Sequence, residues 1–327
     1  MQKDFKHSIA VIVPCYRVRD SIMCVIKGAL EYADVVYCVD DACPDGSGRL
    51  VKSEIDDDRV RVIFCDQNGG VGSAMKTGYR AALEDGHDIM VKLDGDGQMD
   101  PAMIPLFTAR IINGTADYCK GNRFQELEYL EGMPAVRLIG NSVLSLFTKV
   151  SSGYWRVLDP TNGYTAIHAS VLKLLPLDKI HNRYFFESDM LFRLNLVRAV
   201  VRDIPMRAHY GDEQSSMHIH HQLLPFFFGH VKNFFKRTFY TYFLHDFNIA
   251  TLQLLAGLTL GLFGLIFGLS AWSESINSGV AASAGTVMLA GLPSIVAVQF
   301  LLSFLNYDIQ NIPNHPISDS VALVQRS

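Results

Sequence analysis

Short apolar runs of strand length recur along the first part of the chain: IAVIVP at 9–14, VVYCVD at 35–40, VRVIFC at 60–65, DIMVKLD at 88–94 and DYCKG at 117–121. Between them lie stretches of helical periodicity, such as residues 21–31 and 73–84. Continuous apolar strands alternating with helices predict an α/β fold with a Rossmann-like, mostly parallel sheet covered on both faces. In such sheets ligands bind beyond the carboxyl ends of the strands. The unusual residues fall there. Pro14 and Tyr16 close the first run, and Asp40 and Asp41 close the second, ahead of the turn ACPDGSG. DQNGGVGSA follows the third, and Asp94 and Asp96 end the fourth.

The pattern then changes. Between residues 217 and 244, Phe227, Val231, Phe234, Phe235, Phe239 and Tyr242 recur at helical spacing, with Lys232, Asn233, Lys236 and Arg237 mostly opposite. This predicts an amphipathic helix lying in a membrane interface. Two uncharged runs follow, at 247–269 and 280–305, joined by SAWSESINSG. Each is long enough to cross a hydrocarbon core of roughly 30 Å, so a two-helix transmembrane hairpin is expected. Lys232, Lys236 and Arg237 precede the first run, Arg326 follows the second, and the link has no Lys or Arg. The positive-inside rule then places the large domain and the carboxyl terminus in the cytoplasm, on a multi-pass protein of the cytoplasmic membrane. The amino-terminal MQKDFKHSIAVIVPCY is charged and reads as a first strand rather than a signal peptide. The expected organisation is a catalytic domain at 1–213, a juxtamembrane region at 214–245, two spans at 246–306 and a cytoplasmic tail at 307–327, loose after Tyr307.

Composition narrows the classes. Charged residues make up 19% and the net charge is -4, which does not point to nucleic acid. The six cysteines form no CxxC pair and mostly sit in apolar runs, so they read as reduced thiols acting as small hydrophobes. An Asp-x-Asp pair at a strand end can hold Mg²⁺ or Mn²⁺, hard ions that take oxygen ligands and are often shared with substrate phosphates. GGVGSAMKTG falls short of a phosphate-binding P-loop because Met75 stands where the last glycine belongs. HIHH at 218–221 reads as polar anchoring, and Asp57-Asp58 as a solvated turn.

Taken in order, VIVPCYRV, VDDACPDGS, NGGVGSAMKTGY, LDGDGQMDP, KGNRF, PAVRLIGNSVLS, LDPTNGYTAI and RYFFESDML resemble the motif series of family 2 glycosyltransferases of the GT-A fold. The branch is that of dolichyl- and polyprenyl-phosphate sugar synthases, and the resemblance covers residues 8–216. It implies that Pro14, Tyr16, Val39 and Asp41 contact the nucleotide base and ribose. It implies that Asp94, Asp96 and Gln98 hold the metal and the donor diphosphate, and that Arg123 and Arg137 grip the acceptor phosphate. A further acceptor arginine is expected in PMRAHYGDEQSS, with Arg207 the better candidate and His209 the alternative at an irregular spacing. Arg17, Val18, Ala42 and Cys43 depart from the family's usual residues, which leaves the donor, GDP- or UDP-linked, open. A homo-oligomer is implied, of no fixed number.

The chemistry follows from the substrates. A nucleotide-sugar breaks between C1 and its diphosphate, whose growing charge a divalent metal offsets. A phosphate acceptor is already anionic near neutral pH, so no strong base is needed even with Glu187 and Asp189 at hand. Direct attack inverts C1. Two other classes stand beside this reading. A processive polysaccharide synthase would carry more spans and a Q-x-x-R-W motif, which is absent. A silent scaffold with the same fold would not need Asp94, Asp96, Arg123 and Arg137.

Overall fold

All five apolar runs become strands. The computed structural model describes residues 7–124, 135–206 and 219–318. Its first part alternates β1 (Ile9–Cys15), α1 (Ile22–Leu30), β2 (Val35–Asp40), α2 (Ser47–Glu54), β3 (Val60–Phe64), α3 (Val71–Glu84) and β4 (Ile89–Lys92). α4 (Ile104–Ile112), β5 (Tyr118–Asn122), α5 (Ala135–Ser152), β6 (Thr165–His168), α6 (Ala169–Leu174), α7 (Phe186–Leu196) and β7 (Val201–Pro205) follow. The sheet order is β3-β2-β1-β4-β6-β5-β7. β6 runs antiparallel to both β4 and β5, while every other described pairing is parallel. The carboxyl ends of all strands but β6 therefore share one edge, and the loop entering β6 arrives at the same edge.

β6 and β7 were not among the expected strands. β6 is four residues long, and β7 carries Arg202 and Asp203. Neither shows the apolar run that marked the others.

One face of the sheet builds the main apolar core. Val11, Val13, Cys15, Val36, Cys38, Val91 and Cys119 pack there against Ile22, Val25 and Ile26 of α1 and Ile104, Phe107 and Ile111 of α4. All six cysteines are free, and the three in this cluster act as the small hydrophobes expected of them. The other face is more polar and lies under α3 and α7. There Tyr79, Lys92, Tyr118 and Lys120 are all buried.

The chain divides into two compact units, Met1–Phe234 with Pro313–Ser327, and Phe235–Ile312. In the first unit, α8 (Ile219–Phe239) begins with its inner side on α5 and α7. His230 packs against the rings of Phe147, Phe185 and Phe226, and its Nδ1 shares a 2.8 Å hydrogen bond with the Ser151 hydroxyl. Asn233 Nδ2 donates to Asp189 Oδ1 at 3.0 Å. Leu224, Phe227 and Phe228 are exposed. The amphipathic helix is thus present, with the faces arranged differently from the spacing argument: the polar Asn233 points inward, where a carboxylate awaits it, and phenylalanines point out.

Burial pushes the His230 imidazole from its ordinary 6.5 down to about 4. As pH falls from 6.5 toward 4 the unfolded chain takes up a proton that the folded one refuses, so stability is lost across that window. His230→Phe should flatten this acid limb. At pH 7 it gives up the Ser151 bond, about 1 kcal/mol. By pH 5 that deficit should shrink or reverse, which thermal unfolding at the two pH values would read.

The second unit holds a π-helical turn (Tyr240–His245), α9 (Ile249–Ser278) and α10 (Ala284–Gln310). Both long helices are apolar enough to cross a membrane, and few of their residues are buried. Small residues line their contact, where Gly264 of α9 meets Ser294 and Ala290 of α10, as close helix packing in lipid favours. Arg237 donates to both oxygens of Asp308, at 2.6 and 3.0 Å, so α10 carries a paired acid rather than a bare one. The chain after Tyr307 is not loose as far as Ser318. α10 continues to Gln310, and in the first unit Ile317 N and Ser318 N donate to the buried Asp117 carboxylate at 3.0 and 2.9 Å.

Candidate active site

The second strand ends in two acids with different tasks. Asp40 accepts from Cys43 N at 2.7 Å and Gly48 N at 2.9 Å, which folds the turn after β2. Asp41 accepts from Gly69 N at 2.9 Å and Gly70 N at 2.7 Å, which ties that turn to the glycine-rich segment opening α3. The segment needs its glycines for close approach. A Cβ on Gly72 would collide with the backbone oxygen of His181, because the loop before α7 lies directly on it. Ser73 N donates to Asn182 O at 3.0 Å, and buried Lys76 reaches Ile180 O and the Asn182 side chain.

At the end of β1, Pro14 is half-buried and Tyr16 is 42% exposed, with the Arg17 guanidinium 5.4 Å from its ring centre. Val39 is fully buried, its side chain turned toward Gly78 of α3. Of the residues expected around the base, Tyr16 is the open one.

Below the Asp94–Gln98 turn lies a cluster of buried charge. Lys92 ends β4 with 1% of its side chain exposed, and its ammonium is 2.8 Å from Asp94 Oδ1 and 3.2 Å from Glu187 Oε1. Burial works against the charge of this ammonium, but Asp94 and Glu187 outweigh it and hold the Lys92 pKa above the ordinary lysine range. Across the sheet Lys92 pairs with Thr165, which pairs with Lys120, so the three side chains share one face. Lys120 is fully buried and donates to Asn162 O. Burial pushes its pKa down to about 8, against the partial support of Glu187 and Asp159.

Arg123, just past β5, makes a two-pronged pair with the fully buried Asp159, Nε to Oδ2 at 2.7 Å and Nη2 to Oδ1 at 3.0 Å. Its backbone N–H donates to the same carboxylate at 3.2 Å. Asp159 and Asn162 both come from the loop entering β6, so the one antiparallel strand delivers partners to two cations. A groove of ≈ 300 Å³ opens beside them, lined by Phe124, Leu158 and the Asn141–Lys149 side of α5. A larger hollow of ≈ 580 Å³ lies at the opposite, amino-terminal edge around Ile9, Asp34 and Arg59, and none of these carboxylates or lysines lines it.

The residues fit a hard divalent cation. Asp94, Asp96 and Gln98 offer only oxygen donors, and all three are half-buried. Asp96 Oδ1 accepts from Gln98 N at 3.0 Å, which shapes the turn. Among the described residues no cluster of three or more His, Cys, Asp or Glu side chains is placed to hold a metal. The protein therefore brings two carboxylates and an amide, a set suited to an ion whose remaining ligands are water and substrate phosphate.

Pro14, Tyr16, Asp41, Asp94, Asp96, Gln98 and Arg123 thus fall on one sheet edge. Arg137 lies in the first turn of α5, and Arg207 and His209 lie outside the described residues. Lys92, Lys120, Asp159 and Asn162 were not singled out in the sequence. The signal was there, since a lysine two residues before Asp94 inside an apolar strand must find a buried partner.

Residues 10–175 match the family model described as Glycosyl transferase family 2. The chain is 30% identical over 203 residues to the undecaprenyl-phosphate mannosyltransferase of Micrococcus luteus, covering 61% of this chain and 82% of that protein. It is 29% identical over 218 residues to the UDP-N-acetylglucosamine–dolichyl-phosphate N-acetylglucosaminyltransferase of Methanococcus voltae, covering 62% and 86%. Among solved structures, glucosyl-3-phosphoglycerate synthase of Mycobacterium tuberculosis, crystallised with Mn²⁺, UDP and its product, superposes with a TM-score of 0.53. Its identity is 16%, over 71% of this chain and 80% of that one, a likeness of fold.

Proposed function

The chain belongs to glycosyl transferase family 2, and from that premise we propose that it moves a hexose, with inversion at C1, from a UDP- or GDP-sugar to a polyprenyl phosphate at the cytoplasmic face of a membrane. The observation that carries this reading is the meeting, on one sheet edge, of the Asp94–Asp96 pair with the Arg123–Asp159 pair. One fits a diphosphate-bound cation and the other a phosphate. The names of the Micrococcus and Methanococcus relatives support a lipid phosphate as acceptor.

Asp94, Asp96 and Gln98 would hold Mg²⁺ or Mn²⁺ against the donor diphosphate, with Asp41 locking the glycine turn and Tyr16 at the base. Bound there, the cation would offset the charge that gathers on the leaving diphosphate. Arg123, Arg137 and Arg207 would grip the acceptor phosphate, for which the guanidinium fork is suited. Asp159 sets the plane of Arg123. The acceptor oxygen is anionic at neutral pH, so Glu187 remains paired with Lys92 instead of taking a proton.

Membrane topology follows the same logic. Beyond α10, the amides of Ile317 and Ser318 are held by Asp117 of the unit that contains the sheet. α9 and α10 would therefore leave from and return to one side, crossing twice. Lys232 and Lys236 ahead of α9 favour the cytoplasm as that side. The exposed Phe227 and Phe228 of α8 would sit among lipid headgroups.

The product tests the reaction. An α-linked donor should yield a lipid-soluble sugar phosphate with the β anomer, read from the anomeric proton. An α-linked product, or a water-soluble one, would set inverting transfer to a lipid phosphate aside.

A further inference from the structure

Lys92 is an odd residue to find at the end of a buried strand. An ammonium with 1% of its side chain exposed costs heavily in desolvation unless carboxylates surround it. It has two, and one of them, Asp94, is also a carboxylate assigned to the donor's cation. Nζ lies 2.8 Å from Asp94 Oδ1 and 3.2 Å from Glu187 Oε1. The ammonium has no room to swing away. A Cβ on Gly163 would overlap both Asp94 Oδ2 and Lys92 Nζ, so the backbone entering β6 closes over the pair.

We propose that Lys92 makes cation loading depend on the nucleotide diphosphate: it neutralises Asp94 in the empty enzyme, so that a divalent ion binds well only together with the donor. This rests on the reading of Asp94 and Asp96 as the cation site. The charges argue for it. Asp94, Asp96 and Glu187 bring three negatives, and Lys92, with Lys120 buried on the same face, offsets most of that charge. A dication on Asp94 would share one carboxylate with an ammonium that cannot retreat, and that repulsion falls off only as the inverse of distance. Among the described residues no third acid completes the site. The charge that tips the balance must come from the diphosphate.

The test is a Mn²⁺ titration of the full-length protein in detergent, followed by the EPR signal of free Mn²⁺. It is run without nucleotide and with UDP or GDP. The wild type should bind Mn²⁺ at least tenfold more tightly once the right nucleotide is present. Lys92→Met, close to isosteric and uncharged, should bind Mn²⁺ alone at least tenfold more tightly than the wild type, with a correspondingly smaller gain from nucleotide. Lys92→Met also frees Glu187, so the double variant Lys92→Met/Glu187→Gln is measured beside it. It removes the carboxylate that the single variant frees, and it carries the test alone if the single variant does not fold. The double variant should keep the gain.

Wild-type Mn²⁺ affinity in a folded Lys92→Met protein would overturn the proposal and reduce Lys92 to a counter-ion of Glu187. A gain that vanishes in the double variant would overturn it too, because the effect would then belong to Glu187. If the wild type binds no Mn²⁺ with either nucleotide, the cation site itself falls, and the role of Lys92 with it.

Discussion

Asp96→Ala is expected to lower kcat/KM for sugar transfer by about 10³-fold or more, the scale seen when a preorganised charge-stabilising group is removed. The protein should remain folded and membrane-bound. Asp96 is half-buried at the sheet edge, where its Oδ1 accepts from Gln98 N at 3.0 Å and shapes the turn. Its melting temperature should therefore stay within a few degrees of wild type, as for surface substitutions. Asp94→Ala is a poorer probe, because it also leaves the buried Lys92 with one partner instead of two. A near-full rate in Asp96→Ala would remove the carboxylate pair from the mechanism.

Arg123→Lys should separate the two substrates. The lysine keeps a positive charge for the buried Asp159, so the variant should fold, but it loses the two-pronged geometry now held at 2.7 and 3.0 Å. The acceptor KM should rise by about 10- to 100-fold, in line with the loss of one charge-assisted bond of about 1.5–3 kcal/mol. Donor affinity, read by nucleotide titration, should be unchanged. Equal weakening of donor and acceptor would mean that Arg123 organises the whole edge and not the acceptor phosphate.

How much of this could be read in the sequence depends on where each residue's partner lies. The strands of the first half are legible because both faces of β1, β2 and β4 are covered, which writes an unbroken apolar run into the chain. β6 and β7 are not, because a four-residue strand and one carrying Arg202 and Asp203 have no such run. Their place in the sheet is fixed by pairing with β5, which no local pattern encodes. The Asp94–Asp96 pair is legible because a strand end with two acids is a local feature. Its floor is not. Lys92 meets Glu187 only after the chain has laid α7 over the sheet, and Arg123 meets Asp159 only when the loop before β6 returns to the edge. Both lysines lie in strands buried along their whole length, and no local pattern names the partners that meet them there. The juxtamembrane helix shows the same limit, since Asn233 lies on its inner side for the sake of Asp189.

The role of the Asp94–Asp96 edge in moving sugar to a lipid phosphate is tested most directly by one assay. Purified protein in detergent is given undecaprenyl phosphate, Mg²⁺ or Mn²⁺ and, one at a time, radiolabelled UDP- and GDP-sugars, and label is counted in the organic phase. The account predicts label from one donor, lost on chelation and absent in Asp96→Ala. Label that persists under chelation would contradict the cation's role. No label from any donor, by protein that still binds nucleotide, would contradict the acceptor.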